Sequence, residues 1–223
     1  MDINELKSHK VPDFVIKKFQ EQNISKLNPG QIKAIQHGLL DNKNLLVCTP
    51  TGSGKTAIAT LAITKRLEET KGKAVYLVPM KALANEKYND YKNLLKDTNY
   101  QVAISTGDID SGSEWLSNYD LLILTVEKMD SLLRHKTSWI SSITTVIIDE
   151  VHLLNDPKRG PTLEILLTLL KQLLKNVQLI ALSATIGNPE ELAKWLDANL
   201  VIDSWRPVKL HKGIYLNGEI EFS

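Results

Sequence analysis

The sequence predicts an α/β fold with a mostly parallel sheet and helices on both faces. Three observations carry that prediction. Short apolar runs such as Leu45-Leu46-Val47-Cys48, Leu121-Leu122-Ile123-Leu124 and Thr145-Val146-Ile147-Ile148 recur along the chain. They lack polar alternation, as strands buried on both faces do. Stretches with helical periodicity alternate with them. A glycine-rich loop, Thr49-Pro50-Thr51-Gly52-Ser53-Gly54-Lys55-Thr56, joins the first run to a helix.

The bulk properties bound the answer. The chain has 223 residues, 43% of them hydrophobic and 24% charged, with a net charge of +1. That length suits one large domain or two small ones, with a sizeable core. The near-zero charge gives no global field for nucleic acid, so any such site must be local. The single cysteine, Cys48, excludes an internal disulfide and fits a reducing compartment. The N-terminus has no apolar signal core, and the longest apolar run, around 163–170, is too short for a bilayer. A cytoplasmic protein with no membrane partner is expected. The chain shows no internal repeat.

In chain order, residues 1–27 read as helical, with Phe14, Ile16, Phe19 and Ile24 on one face and Pro12 in a first turn. Pro29-Gly30 marks a turn before a helix over 31–40. The strand at 45–48 and the glycine loop lead into a helix over 57–63. A strand at 74–78 stops at Pro79, and a helix follows over 81–96. A strand at 101–105 ends in the turn Thr106-Gly107-Asp108. The run at 121–124 leads through Thr125 to a helix over 127–134. The run at 145–148 ends in Asp149-Glu150, before a helix over 161–175. The run at 178–182 ends in Ser183-Ala184-Thr185; a helix over 190–196 and a strand at 200–202 follow. The tail reads as a β-hairpin, 213–216 and 219–222, about a type I′ turn at Asn217-Gly218. The polar clusters follow the apolar runs. If the strands are parallel, those clusters line one rim, where such sheets bind ligands.

The glycine loop has the context of a phosphate-binding loop: strand, loop, helix. Gly52 and Gly54 allow backbone angles that turn successive N–H groups inward. The helix N-terminus adds partial positive charge. Thr51, Gly52, Ser53, Gly54, Lys55 and Thr56 are the candidate phosphate-binding residues. Lys55 would reach the β- and γ-phosphates, and Thr56 would ligate Mg²⁺. The strict pattern begins with Gly, where this chain has Thr49. Gln31 carries both donor and acceptor and matches the edge of adenine, although a lone glutamine is more often a surface residue. Asp149 would hold Mg²⁺, directly or through water, and Glu150 would deprotonate the attacking water. By itself an Asp-Glu pair could equally cap a helix. His152 stands beside the candidate base, where a coupling role is open to it. No Cys/His set with zinc-ligand spacing occurs.

Together these motifs resemble the first RecA-like domain of the superfamily 2 DExH-box helicases, a class of P-loop NTPases. Asp149-Glu150-Val151-His152 is the DExH box. The stretches 76–87 and 125–134 resemble motifs Ia and Ib of the superkiller-type branch. Arg159-Gly160-Pro161-Thr162-Leu163-Glu164 follows the box as in that branch, and the segments 183–193 and 205–208 are similar to its archaeal DNA-repair members. The resemblance implies ATP and Mg²⁺ as cofactors and the motor of a 3′-to-5′ DNA helicase acting on single-stranded or forked DNA. It also implies that Gln31 reads adenine, with Phe14 or Phe19 near the base. Ser183, Thr185 and His152 would couple hydrolysis to nucleic-acid binding. Pro79, Lys81, Thr106, Gly107, Thr125 and Lys128 would line the nucleic-acid rim.

The same resemblance divides the chain into an N-terminal helical extension (1–27), a RecA-like domain (28–207) and a hairpin or linker (208–223). A complete motor has a second RecA-like domain that supplies an arginine finger. The expectation is therefore an amino-terminal piece with little activity by itself. An RNA helicase of the superkiller type, a P-loop kinase and a nucleotide-gated binding module without turnover remain as alternatives.

Overall fold

The computed structural model describes residues 1–107, 113–135, 137–174, 176–208, 213–216 and 218–222. Seven strands make one sheet: β1 (Leu45–Cys48), β2 (Lys73–Val78), β3 (Val102–Ser105), β4 (Leu121–Thr125), β5 (Ile143–Ile148), β6 (Gln178–Ser183) and β7 (Asn199–Ile202). Their order is β3-β4-β2-β5-β6-β1-β7. Every pairing in this sheet is parallel.

The unbroken apolar runs follow from burial on both faces. Along β1, Leu45 and Val47 face one core, while Leu46 and Cys48 face the other. Along β2, Tyr76 and Val78 go one way and Val75 and Leu77 the other. The edge strand β7 has only Val201 buried; among the described residues no strand pairs beyond it. Helices α1 (Asp13–Glu21), α2 (Pro29–Gln36), α3 (Lys55–Glu69) and α4 (Lys81–Leu95) feed the first core. Helices α5 (Val126–Arg134), α6 (Gly160–Leu173) and α7 (Pro189–Leu196) feed the second.

The N-terminal segment belongs to the first core. A 3-10 turn, Ile3–His9, is closed by a capping box between Asp2 and Glu5. Ile3, Leu6, Val15, Ile16 and Phe19 are buried against the same cluster as α3. The Lys65 ammonium, on α3, donates to the His9 carbonyl (2.9 Å) and pairs with Glu69 (2.7 Å).

Two expected helices end earlier. The helix expected over 31–40 is α2, Pro29–Gln36, begun by the Asn28–Gln31 capping box. It stops because Gly38 takes φ +96°, and a Cβ there would meet Lys43 Cγ at 2.5 Å. A 3-10 turn, Leu39–Asp41, replaces the last turn. The helix expected over 161–175 ends at Leu173, and Lys175 lies outside the described residues. The tail strands β8 (Gly213–Leu216) and β9 (Glu219–Phe222) pair antiparallel as expected. Asn217, and with it the expected turn type, lies outside the described residues, as does Asp108. Among the described residues no helix is long and apolar enough to cross a membrane.

Candidate nucleotide site and nucleic-acid rim

Parallel strands put all their carboxyl ends on one edge. That edge carries the glycine loop after β1, Pro79 to Lys81 after β2, Thr106-Gly107 after β3, Thr125 at the end of β4, Asp149-Glu150 after β5 and Ser183 to Thr185 at the end of β6.

The loop is built from its glycines outward. Gly52 and Gly54 take φ +79° and +80°, left-handed values that side chains resist. Gly54 is the N-cap of α3 and brings no side-chain cap, so the first N–H groups of the helix stay open to an anion. A Cβ on Gly54 would sit 2.6 Å from Gln31 Nε2. The Lys55 ammonium donates to the carbonyls of Thr49 (2.9 Å) and Pro50 (3.2 Å). Burial pushes this lysine below its usual value, while Glu150 and Asp149 pull it back up. Burial likewise raises the Cys48 thiol to about 11; Lys55 works against that shift and Glu190 adds to it.

The structure accounts for Thr49 in the glycine position. Thr49 is buried, and its Oγ1 accepts a hydrogen bond from Ser53 Oγ (2.7 Å). That bond closes the loop across its neck. Gln31 and Asn28 latch it from outside. Gln31 Nε2 donates to the Gly54 carbonyl (3.2 Å), Asn28 Nδ2 to the Ser53 carbonyl (2.7 Å), and the Asn28 N–H to Gln31 Oε1 (3.0 Å). Asn28 was not singled out from sequence. Its place before Pro29-Gly30-Gln31, an N-cap followed three residues later by Gln, was the available signal.

Beside the loop lies a cleft of about 530 Å³ whose walls include Phe19, Gln31, Gly54, Thr56 and Tyr91. Phe19 lines the cleft, while Phe14 packs against the Tyr100 ring at 6.5 Å.

Asp149 has a donor on each oxygen. Tyr76 Oη donates to Oδ2 (2.9 Å) and the Glu150 N–H to Oδ1 (3.0 Å). Burial, then the Asp149 charge, hold the Tyr76 phenol well above its ordinary value, so it stays a donor. From sequence Tyr76 read as a strand residue and the first of the stretch resembling motif Ia, with no role in the site. Glu150 takes φ +53° at the N-cap position of the 3-10 turn Val151–Asn155, but neither carboxylate gives that turn a side-chain cap. Glu150 Oε2 lies 3.2 Å from His152 Nδ1. The Ala184 N–H points at the same nitrogen across 3.4 Å. That nitrogen can donate to Glu150 or accept from Ala184, and the imidazole proton decides which. Ser183 Oγ is buried without a hydrogen-bond partner, while Thr185 is exposed.

The six rim residues separate into two groups. Lys81 is exposed at the start of α4, whose N-cap, Met80, gives no side-chain cap. Its Nζ would lie 3.6 Å from a Cβ on Gly107, so Lys81, Thr106 and Gly107 share one patch. Pro79, Thr125 and Lys128 are buried. The Thr125 hydroxyl caps α5 by accepting from the Lys128 N–H (3.3 Å).

A parallel sheet with a phosphate loop, an Asp-Glu-x-His turn and a Ser-Ala-Thr strand end on one rim defines a RecA-like P-loop domain. The sequence model of the DEAD/DEAH box helicases matches residues 28–192, and the chain belongs to that family. It is 50% identical over 216 residues to the ATP-dependent DNA helicase Hel308 of Methanocaldococcus jannaschii, covering 94% of this chain and 18% of that protein. It is 52% identical over 199 residues to the Hel308 of Pyrococcus abyssi, covering 89% of this chain and 27% of that one. The chain thus spans less than a third of the length of these relatives. The crystal structure of the DUF1998 helicase MrfA bound to DNA and AMPPNP shares the fold, with a TM-score of 0.70 at 22% identity over 87% of this chain and 29% of that one.

Proposed function

We propose that this domain binds ATP with Mg²⁺ and is one half of the motor of a DNA helicase of the archaeal DNA-repair type. The observation that carries the reading is the convergence on one rim of the glycine loop, Asp149-Glu150 and Ser183. The residues fit a nucleoside triphosphate. Gly52 and Gly54 hold the loop in left-handed backbone, α3 begins without a side-chain cap, and a buried hydroxyl, Ser183 Oγ, has no hydrogen-bond partner. Thr51 to Thr56 would hold the phosphates, with Lys55 exchanging the Thr49 and Pro50 carbonyls for phosphate oxygens. Thr56 and Asp149 would hold Mg²⁺, partly through water. Bound there, the ion supplies charge compensation for phosphoryl transfer.

Glu150 serves as the base for the attacking water. His152, within reach of both Glu150 and the Ser183-Ala184-Thr185 strand end, carries the state of that end to the base. Gln31 and Phe19 sit at the base end of the cleft. The Lys81, Thr106 and Gly107 patch suits phosphate oxygens of a single strand, and Pro79, Thr125 and Lys128 are the buried part of the same rim. Such backbone and lysine contacts position a strand without reading its sequence. Relatives near 50% identity named as DNA helicases favour DNA over RNA.

A second RecA-like domain would close the ATP site with an arginine finger. The 223-residue chain then binds ATP weakly, turns it over very slowly and does not unwind a duplex. The test is strand displacement on 3′- and 5′-tailed DNA and RNA duplexes, with this chain and with a protein carrying both motor domains. Robust unwinding by this chain alone refutes the half-motor reading. Unwinding of RNA but not DNA by the two-domain protein refutes the substrate.

A further inference from the structure

We infer that Tyr76 is a positioning residue of the ATP site, and that its hydroxyl fixes the Asp149 carboxylate in the orientation that receives Mg²⁺. The inference rests on the reading of Asp149 as the ion's carboxylate.

The strand register makes the contact specific. Tyr76 on β2 pairs with Ile147 on β5, two residues before Asp149. The phenol therefore leans along the strand to reach the carboxylate at its end. Strand β2 grips the same residue a second time, because the Leu77 carbonyl accepts the Asp149 N–H at 2.9 Å. One strand thus holds both the main chain and the side chain of Asp149. With Tyr76 on Oδ2 and the Glu150 N–H on Oδ1, the plane of the carboxylate is set from both sides. The ring has no freedom of its own. Tyr76 is fully buried, and its ring meets that of Tyr91 at 5.8 Å and 57°. A phenylalanine would fill the same space, so the hydroxyl is the part that packing alone does not require. Groups that orient a metal-holding side chain set much of the site's affinity.

The test compares Tyr76→Phe, Asp149→Asn and the unaltered chain by titrating Mg²⁺ against the binding of a fluorescent, non-hydrolysable ATP analogue. For Tyr76→Phe the half-saturating Mg²⁺ concentration is expected to rise about tenfold. Affinity for the analogue in excess chelator is expected to stay unchanged. Asp149→Asn is expected to remove the Mg²⁺ dependence. If Asp149→Asn keeps the Mg²⁺ curve of the unaltered chain, the metal reading of Asp149 fails and the Tyr76 inference with it. If Asp149→Asn loses the dependence while Tyr76→Phe keeps the original curve, only the Tyr76 inference is overturned. Should Tyr76→Phe not fold, tyrosine labelled with ¹³C at Cζ decides in the unaltered chain. A Tyr76 resonance that moves with Mg²⁺ and analogue, but not with analogue in chelator, supports the inference. A resonance indifferent to Mg²⁺ overturns it.

Discussion

Glu150 Oε2 and His152 Nδ1 stand 3.2 Å apart on a turn that Glu150 enters with φ +53°. The left-handed backbone at a non-glycine residue costs energy, and the contact it makes possible places the candidate base beside the histidine that also faces Ala184. Glu150→Gln keeps the size of the side chain and removes its basicity. Nucleotide affinity should be unchanged. Nucleic-acid-stimulated ATP turnover, measured in a protein with both motor domains, should fall by roughly 10²- to 10⁴-fold. Unaltered turnover would remove Glu150 from the mechanism.

Lys55→Ala tests the phosphate loop. Charge-assisted hydrogen bonds are worth about 1.5–3 kcal/mol, so nucleotide affinity should drop by about 10- to 100-fold. Stability should change little, because the ammonium is half-buried and, among the described residues, bonded to the carbonyls of its own loop. Isothermal titration with ATP and a thermal melt of the same sample give both numbers.

Thr49→Val tests why the loop tolerates a residue other than glycine at its first position. The substitution keeps the shape and leaves the buried Ser53 hydroxyl without its acceptor. The expected loss is about 1–3 kcal/mol of unfolding free energy in urea. A neutral result would mean that the neck of the loop does not depend on this bond.

Lys33 and Asp203 give a pH-dependent prediction. The Lys33 ammonium lies 2.7 Å from Asp203 Oδ2, tying α2, which carries Gln31, to the segment leaving β7. Burial opposes the charge on Asp203, but Lys33 and the Trp205 N–H outweigh it and hold the carboxyl below its usual 3.8. A carboxyl lowered in the folded state stabilises the protein above its unfolded value, and that contribution is lost as pH falls through the folded value. Asp203→Asn should therefore cost about 1 kcal/mol near neutrality. The two proteins should converge in stability as pH drops below 3.8. Denaturant unfolding across the acid range checks it, and a constant gap down to the lowest pH would contradict it.

Much of the site was legible before the fold. The spacing of Gly52, Gly54, Lys55 and Thr56 after an apolar run needs only local backbone chemistry to be read. Asp149-Glu150 at the end of another run is similarly local. The alternation of runs and helices gave the parallel sheet, because a strand covered on both faces has no polar side to show. Burial was harder to read. Lys128 looks like a surface charge by residue type, yet it is only 5% exposed. Helix α2 stopped early because Gly38 turns left-handed against Lys43, a contact five residues away that periodicity does not carry.

The sequence by itself determined the strand–loop–helix unit at residues 45–69, the order of the motifs and the class of chemistry they serve. Those depend on residues close together in the chain. Only the tertiary structure decided that Phe19 rather than Phe14 lines the cleft, that Asn28 and Gln31 latch the loop, and that Tyr76 holds Asp149. Each of these joins elements far apart in sequence. Tyr76 and Asp149 are 73 residues apart, and only the pairing of β2 with β5 brings them to 2.9 Å. Side-chain reach is a few ångströms, so strand order and register, which no local pattern specifies, decide which distant groups can meet.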